Sequence, residues 1–375
     1  MRKNNLKKAM VTMVLAMSVV FGTTGCGAQK EQRDDSTRKQ AESIIEENQG
    51  TEVSTETKEE QDMTNQTKRT TYPLTITTYG TDGTPLETTY EKAPEKVVAV
   101  YQGSIETMLA LGLEDHIVAT AGLDNEVPEE QKAGFSKTNY LDEFTPSLET
   151  VTMLEPDMIF SWGSLFKDTT LGDAKGWVEK GVNLYMNTNT RPMQNEMAYK
   201  RTLENEYTDI LNIGKIFDVQ DRAEAMVNDM KDTIALVQEK TKSMEEKPSV
   251  MILESWDGTF SNYGATSLGG DMVTTLGGTL VNETATQVGK EDVLSANPDV
   301  LFVVYMPYEG DDPEQVKQEK LDVILKDETY QSLDAVKNNR VVPIMLSEMY
   351  ASATRTKDGI ITFAKGLYPE IELDF

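Results

Sequence analysis

Aromatic and arginine side chains recur in this chain just after short apolar segments. Apolar runs bounded by turn residues predict β-strands, and their alternation with helical segments predicts parallel sheets. Because parallel sheets bind ligands beyond the carboxyl ends of their strands, these side chains are candidate ligand contacts. Aromatic faces suit a flat or apolar ligand, and arginines suit a negative charge on it. The candidates are Tyr101, Trp162, Tyr185, Arg191, Trp256, Tyr263, Tyr305, Tyr350 and Arg355.

Each of these aromatic residues, taken singly, also fits core packing, and only the set at strand ends favours a cleft. A second feature is an internal repeat, SLETVTMLEPDMIFSW at 147–162 and GKEDVLSANPDVLFVVY at 289–305. Each copy places a glutamate, Glu149 or Glu291, beside a predicted helix start. Two similar units predict two similar lobes. An acid near a helix start is also favoured by the helix dipole, so the repeat alone leaves the role of these glutamates open.

The predicted fold class is α/β, with two Rossmann-like lobes of mostly parallel sheets, joined by a long rigid helix, and a ligand cleft between the lobes. Region 194–245 predicts a long, rigid helical connector with a break near Phe217 and Asp218. The N-terminal lobe is expected at 73–193 and the C-terminal lobe at 246–375. Strands are predicted at 96–101, 116–121, 157–162, 182–186, 249–255, 299–305 and 340–346, and helices at 105–111, 148–154, 174–180, 272–276, 292–296 and 356–367.

The N-terminus has the pattern of an export signal. Four basic residues precede an apolar run, which predicts a signal peptide at 1–25. The segment ending in Cys26 resembles the lipobox of bacterial lipoproteins, in which the Cys is acylated, although Thr23 stands where Leu is usual. An ordinary secretory signal with an incidental Cys is the alternative. Residues 26–72 are polar and poor in aromatics, which predicts a disordered tether. The expected location is extracytoplasmic, anchored to the cell membrane by lipidated Cys26.

Charge and residue counts exclude several classes of partner and cofactor. The formal net charge is −27. Residues 1–25 carry +4 and residues 26–72 carry −4, so the whole excess of negative charge lies in residues 73–375. Such an acidic domain is not expected to bind nucleic acid. The single His, His116, is expected inside a strand, and a bare transition-metal site needs several His or Cys ligands. We therefore expect no metal site and no cofactor; haem would need a Tyr or Met axial ligand.

Enzyme motifs are scarce in this sequence. GGDMVTTLGG at 269–278 lacks the Lys-Ser/Thr ending of a phosphate-binding loop, and the chain contains no Ser elbow. A non-enzyme is expected. The alternative from a different class is a secreted hydrolase that uses a carboxylate pair such as Glu254 and Asp257.

An ordered set of segments gives the chain a family resemblance over 73–375. The set is KVVAVYQGSIETMLALGLEDHIVATAG at 96–122, SLETVTMLEPDMIF, the helical connector, GGDMVTTLGG, KEDVLSANPDVLFVV and RTKDGIITFAKGLYPE at 355–370. It resembles the ABC-transporter substrate-binding proteins of the iron-siderophore, haem and cobalamin class. The resemblance implies a monomeric receptor that delivers a ferric siderophore or related chelate to an ABC permease and its ATPase. It also implies that Glu149 and Glu291 contact permease arginines. Haem and cobalamin receptors share the scaffold.

Overall fold

The computed structural model of the protein describes residues 69–193 and 199–373, all within one compact unit. The described chain starts with an antiparallel hairpin of β1 (Leu74–Tyr79) and β2 (Pro85–Tyr90). The sequence analysis missed this hairpin because its strands, LTITTY and PLETTY, contain no apolar run. Their Thr and Tyr residues nevertheless favour an extended, half-buried backbone.

Four parallel strands form the sheet of the first lobe, and all four lie within predicted strands. They are β3 (Val97–Val100), β4 (Ile117–Ala121), β5 (Met158–Ser161) and β6 (Asn183–Met186), in the order β4-β3-β5-β6. The strand order reverses between β3 and β5, which is where α/β sheets bind ligands. The β1–β2 hairpin lies against edge strand β6: the Met186 amide donates to Thr78 Oγ1 at 2.9 Å. The hairpin thus protects an edge that would otherwise be open to pairing.

The sheet of the second lobe is mixed. Its strands are β7 (Ser249–Trp256), β8 (Thr259–Asn262), β9 (Thr279–Leu280), β10 (Gln287–Val288), β11 (Val300–Tyr305) and β12 (Val341–Met345). Strands β7, β11 and β12 are parallel, as predicted, and β9 adds in parallel to the start of β7. Strands β8 and β10 extend the sheet in antiparallel fashion. Asp257 and Gly258, both at positive φ, form the β7–β8 turn, and an Asp-Gly pair favours such a tight hairpin turn.

Helices alternate with the parallel strands in both lobes, which confirms the predicted α/β class. The first lobe contains α1 (Gln102–Ala110), α2 (Lys132–Phe135), α3 (Leu148–Met153) and α4 (Ala174–Glu179). The connector contains α5 (Leu203–Ile216) and α6 (Gln220–Thr241), and the second lobe contains α7 (Leu268–Thr275), α8 (Lys290–Ala296), α9 (Pro313–Leu325), α10 (Asp334–Lys337) and α11 (Thr356–Leu367). Helix α9 was not predicted; it starts at an Asp312 side-chain cap with Pro313 in its first turn.

The connector is two packed helices and not one long helix. The chain turns at Phe217–Val219, where the sequence predicted a break, and Asp218 adopts a left-handed φ of 57°. The Asp218 carboxylate accepts hydrogen bonds from Arg69 Nη1 at 2.8 Å and from the Thr70 amide at 2.7 Å. Tyr72 donates to the Ile216 carbonyl oxygen at 2.6 Å. Residues 69–72, assigned to the tether from composition, are therefore part of the folded structure.

One apolar core runs through both lobes and the connector. It includes Val97 and Ala99 of β3, Val250 and Ile252 of β7, and residues of α5, α6 and α11 such as Ile213, Val227 and Phe363. The opposite faces of the two sheets have separate clusters, one in each lobe. Each sheet is thus buried on both faces, as parallel sheets require.

The predicted signal peptide 1–25, Cys26 and tether residues 26–68 lie outside the described residues. Within the described ranges, no helix has the length and apolar character needed to span a bilayer.

A single methyl group tests the packing of the two connector helices. A Cβ at Gly214 of α5 would overlap Ala223 of α6. We expect Gly214→Ala to lower the free energy of unfolding in urea by about 1–3 kcal/mol, because overpacking displaces close-packed neighbours. Gly176→Ala in α4 is the control, since the nearest atom to its added Cβ is 3.8 Å away. Wild-type stability in Gly214→Ala would show that α5 and α6 are not packed this closely.

Candidate functional site

Two predicted aromatic contacts meet at the point where the strand order of the first sheet reverses. Tyr101 follows β3 and Trp162 follows β5, and their rings stack with centroids 4.4 Å apart at an angle of 12°. Phe144 packs edge-on against Tyr101 at 5.5 Å. Tyr101 has a φ of 79°, a conformation that costs a non-glycine residue about 1–3 kcal/mol and that concentrates at functional sites. The Tyr101 amide donates a hydrogen bond to the Ala121 carbonyl oxygen at 2.9 Å.

The aromatic cluster continues into the second lobe. Tyr350 lies 5.9 Å from Trp162 between ring centroids, and Tyr263 is edge-on to Tyr350 at 6.4 Å. Arg201, which the sequence analysis did not select, stacks on Tyr350 at 4.0 Å and donates to its hydroxyl at 2.8 Å. We call Tyr101, Phe144, Trp162, Tyr263 and Tyr350 the aromatic cluster. The indole N–H of Trp162 is buried there and donates to no protein acceptor in the described part of the chain.

Arg355 is engaged by a carboxylate of the other lobe and is not available as the predicted ligand contact. Its Nε and Nη2 atoms donate to both carboxylate oxygens of Glu106 in α1 at 2.6–3.0 Å. Nη2 also donates to the Glu126 carbonyl oxygen at 2.8 Å. The Glu106 side chain is fully buried and that of Arg355 is 11% exposed. This bidentate ion pair joins α1 to the start of α11.

Tyr185 is a core residue and not a cleft residue. Its side chain lies on one face of β6, and those of Leu184 and Met186 lie on the other. It is 1% exposed and packs edge-on to Phe160. Its hydroxyl donates to Asp209 Oδ1 of α5 at 2.8 Å, and burial is the main cause that raises its pKa. Strand alternation explains the error: a residue near a strand end can still point into the core.

Arg191 is also engaged within the protein. Its guanidinium stacks on Tyr199 at 4.0 Å and on Tyr79 of β1 at 5.2 Å. Nη1 donates to the Thr188 carbonyl oxygen at 2.9 Å. These contacts tie Arg191 to the β1–β2 hairpin, and it makes none with the aromatic cluster.

A second group of polar and aromatic side chains lies at the carboxyl ends of β7 and β11. Tyr263 donates to Glu254 Oε2 at 2.6 Å, and the Lys320 ammonium lies 5.8 Å from the Trp256 ring. Burial raises the pKa of Glu254, against opposing effects of Tyr263 and Lys320. Burial also raises the pKa of Tyr305 to about 12.

Asp124 brings a carboxylate of the first lobe to this group. Burial raises its pKa to about 6, although Arg355 opposes the shift. Burial is also the main cause that raises the pKa of Tyr308, and the carboxylates of Asp124 and Glu254 both add to it. Asn125 donates to the Pro307 carbonyl oxygen. Loops that follow β4 and β11 therefore meet across the two lobes.

The repeated glutamates are both exposed near helix starts. Glu149 follows Ser147, whose hydroxyl accepts from the Thr150 amide at 3.1 Å and caps α3. Glu291 follows Gly289, whose amide donates to the Asp292 carboxylate at 2.8 Å at the start of α8. In both cases another side chain satisfies the helix end, which leaves the repeated glutamate free of a capping role.

His116 lies in a 3₁₀ turn (Glu114–His116) just before β4 and not inside a strand as predicted. Its Nδ1 is 2.6 Å from the Pro94 carbonyl oxygen, and its ring packs edge-on to Phe217. No group of three or more His, Cys, Asp or Glu side chains is arranged for a metal ion within residues 69–193 and 199–373.

Two α/β lobes, a helical connector and an aromatic cluster at facing strand ends define a two-lobed solute-binding protein. The chain belongs to the periplasmic binding protein family, whose sequence profile matches residues 97–345. The family resemblance of the ordered segments is thereby confirmed.

Individual relatives share 25–28% sequence identity with this chain. The Bacillus subtilis protein YvrC, an uncharacterized ABC transporter substrate-binding lipoprotein, is 25% identical over 307 residues, covering 80% of this chain and 87% of YvrC. The petrobactin-binding protein YclQ of Bacillus subtilis is 25% identical over 270 residues, covering 70% of this chain and 78% of YclQ. A periplasmic binding protein from Veillonella parvula has a similar structure, with a TM-score of 0.72 at 28% identity over 82% of this chain and 96% of that one.

The Glu106–Arg355 pair generates a stability prediction. Arg355→Met leaves the Glu106 carboxylate buried without its counter-charge, so we expect a loss of about 3–5 kcal/mol in the free energy of unfolding. Combining it with Glu106→Gln should recover part of that loss. Lys92→Met is the control, because the Lys92–Glu95 pair is exposed and such pairs contribute about 0–1 kcal/mol. Unfolding free energies from urea titrations in which the effects of Arg355→Met and Glu106→Gln simply add would contradict a coupled pair.

Proposed function

We propose that this chain is the extracytoplasmic solute-binding component of an ABC importer, and that it captures a ferric siderophore or similar iron chelate between its lobes. The observation that carries the proposal is the aromatic cluster, which joins strand ends of both lobes and holds the unpaired indole N–H of Trp162. Flat aromatic faces beside an unused donor suit a chelate with apolar surface and oxygen acceptors. The petrobactin-binding relative supports the same ligand class.

The proposal extends to anchoring and delivery. Cys26 is the proposed lipidation site, residues 26–68 the tether, and 73–193 and 246–375 the two lobes around the 194–245 connector. The receptor acts as a monomer and hands its ligand to an ABC permease with its ATPase. Exposed carboxylates on separate lobes, Glu149 and Glu291, suit a two-point contact with basic permease residues.

Haem or cobalamin capture is the alternative on the same scaffold. The carboxylate hydrolase receives less support, because Glu254 is buried in β7 whereas Asp257 is exposed in the following turn.

Ligand capture should be visible in tryptophan emission. Trp162 belongs to the aromatic cluster and Trp256 ends β7, so a bound ferric chelate should quench their fluorescence strongly, whereas free ferric ion should not. Trp177 is the internal control: it is 3% exposed in α4 and its indole donates to the Leu171 carbonyl oxygen at 2.5 Å. Titrations should include ferric siderophores, haem and cobalamin. Unchanged quenching and affinity in Trp162→Phe/Trp256→Phe would show that the ligand binds elsewhere.

Transport should depend on the repeated glutamates without a change in capture. Glu149→Ala with Glu291→Ala should leave chelate affinity unchanged, because both residues are exposed near helix starts and neither belongs to the aromatic cluster. Uptake through the partner permease should fall sharply, and Glu→Lys at both positions should lower it further by adding repulsion. Glu179→Ala, an exposed acid of α4, serves as the control. Wild-type uptake by the double variant at limiting ligand would exclude this docking role.

A further inference from the structure

The charged groups that border the aromatic cluster carry information about the ligand. Two arginines expected to meet an anionic chelate, Arg191 and Arg355, are engaged by the protein itself. The Arg355–Glu106 pair is neutral as a unit and buried. Among the described residues, Arg201 contacts Tyr350 of the cluster and Lys320 lies beside Trp256 at the end of β7.

Both cations already contact protein groups. Arg201 stacks on Tyr350, and its Nε donates to the Asn189 carbonyl oxygen at 2.8 Å. Lys320 Nζ lies 3.4 Å from the Ser255 carbonyl oxygen and faces the Trp256 ring. A multiply charged anion beside the cluster would therefore compete with these internal contacts for Arg201 and Lys320.

Glu254, unlike these cations, is a buried carboxylate with acceptor positions left over. It is 8% exposed and one oxygen accepts from Tyr263. Lys320 and the Trp256 indole also favour its charged form, but within the described residues it forms no direct ion pair with a Lys or Arg. A carboxylate has about four acceptor positions across its two oxygens, so several remain unused. Glu254 therefore keeps acceptor positions that a donor group of a ligand beside Tyr263 can fill.

Asp124 adds a second carboxylate from the facing lobe. Its amide donates to Gln102 Oε1 at 3.0 Å, which places it beside Tyr101, and it too forms no ion pair within the described ranges. Two carboxylates from opposite lobes thus border the same cluster. The excess negative charge of residues 73–375 around them favours cations over anions at longer range.

We propose that Glu254 binds a cationic or N–H-bearing group of the ligand, and that the cleft therefore selects neutral or positively charged ferric chelates over anionic ones. This inference rests on the proposed function. It replaces the anionic chelate that arginine content alone would suggest.

The test compares three ferric chelates by quenching of tryptophan emission in the intact protein. Ferrioxamine B is a cationic trihydroxamate with a pendant ammonium, ferrioxamine E is an uncharged cyclic trihydroxamate, and ferric enterobactin is a trianionic tris-catecholate. We expect both trihydroxamates to bind at least about tenfold more tightly than the tris-catecholate. Glu254→Gln should weaken ferrioxamine B about tenfold, as loss of one charge-assisted hydrogen bond does, and change ferrioxamine E little.

Two further variants control for fold and charge. Glu319→Gln removes the same charge from an exposed position on α9 and should leave all three affinities unchanged. Glu254→Asp keeps the charge and should keep the preference for the cationic chelate even where stability falls. Tighter binding of the tris-catecholate, or unchanged ferrioxamine B affinity in Glu254→Gln, overturns the inference while chelate capture stands. Failure of all three chelates to bind would overturn the proposed function itself.

Discussion

The shared apolar core is the constraint on which the rest of the structure depends. Inner faces of β3 and β7 pack with α5, α6 and α11 in one continuous cluster, so each lobe is buried against the connector as well as against its own helices. This packing fixes where the carboxyl ends of the two sheets lie. A connector of two packed helices that belongs to the core resists bending, and Glu106–Arg355 adds a polar tie on the same side. Large lobe rotations would have to break both.

The polar side chains around the aromatic cluster follow from that constraint. Interior arginines near facing strands need acceptors, and the structure supplies them from carbonyl groups, aromatic faces and Glu106. An arginine that donates to these internal acceptors has fewer donors left for other partners. Glu254 and Asp124 are left with unused acceptor positions, so the electrostatic character of the cleft is set by which charges the fold has already paired.

The internal repeat preserves a surface feature in two different local settings. The α3 copy is capped by the Ser147 side chain, whereas the α8 copy uses Asp292 against the Gly289 amide. Both solutions satisfy the helix end and leave the glutamate at the second helical position exposed. Similar sequences therefore give similar geometry on each lobe even though the capping chemistry differs.

Local patterns in the sequence determined the α/β class, seven strands, the helix at Thr356–Leu367 and the connector break, because periodicity and turn residues act over a few neighbours. They missed the Thr-rich hairpin of β1 and β2 and the antiparallel β8 and β10, whose stability comes from the strands they pair with. The sequence placed Tyr101, Trp162, Tyr263 and Tyr350 after strands, and the structure brings these four predicted contacts together in the aromatic cluster. Only tertiary structure decided that Tyr185 points into the core, that Arg201 joins the cluster and that Arg355 is paired. Glu106 and Arg355 are 249 residues apart, and no local pattern records which charges meet across the lobes.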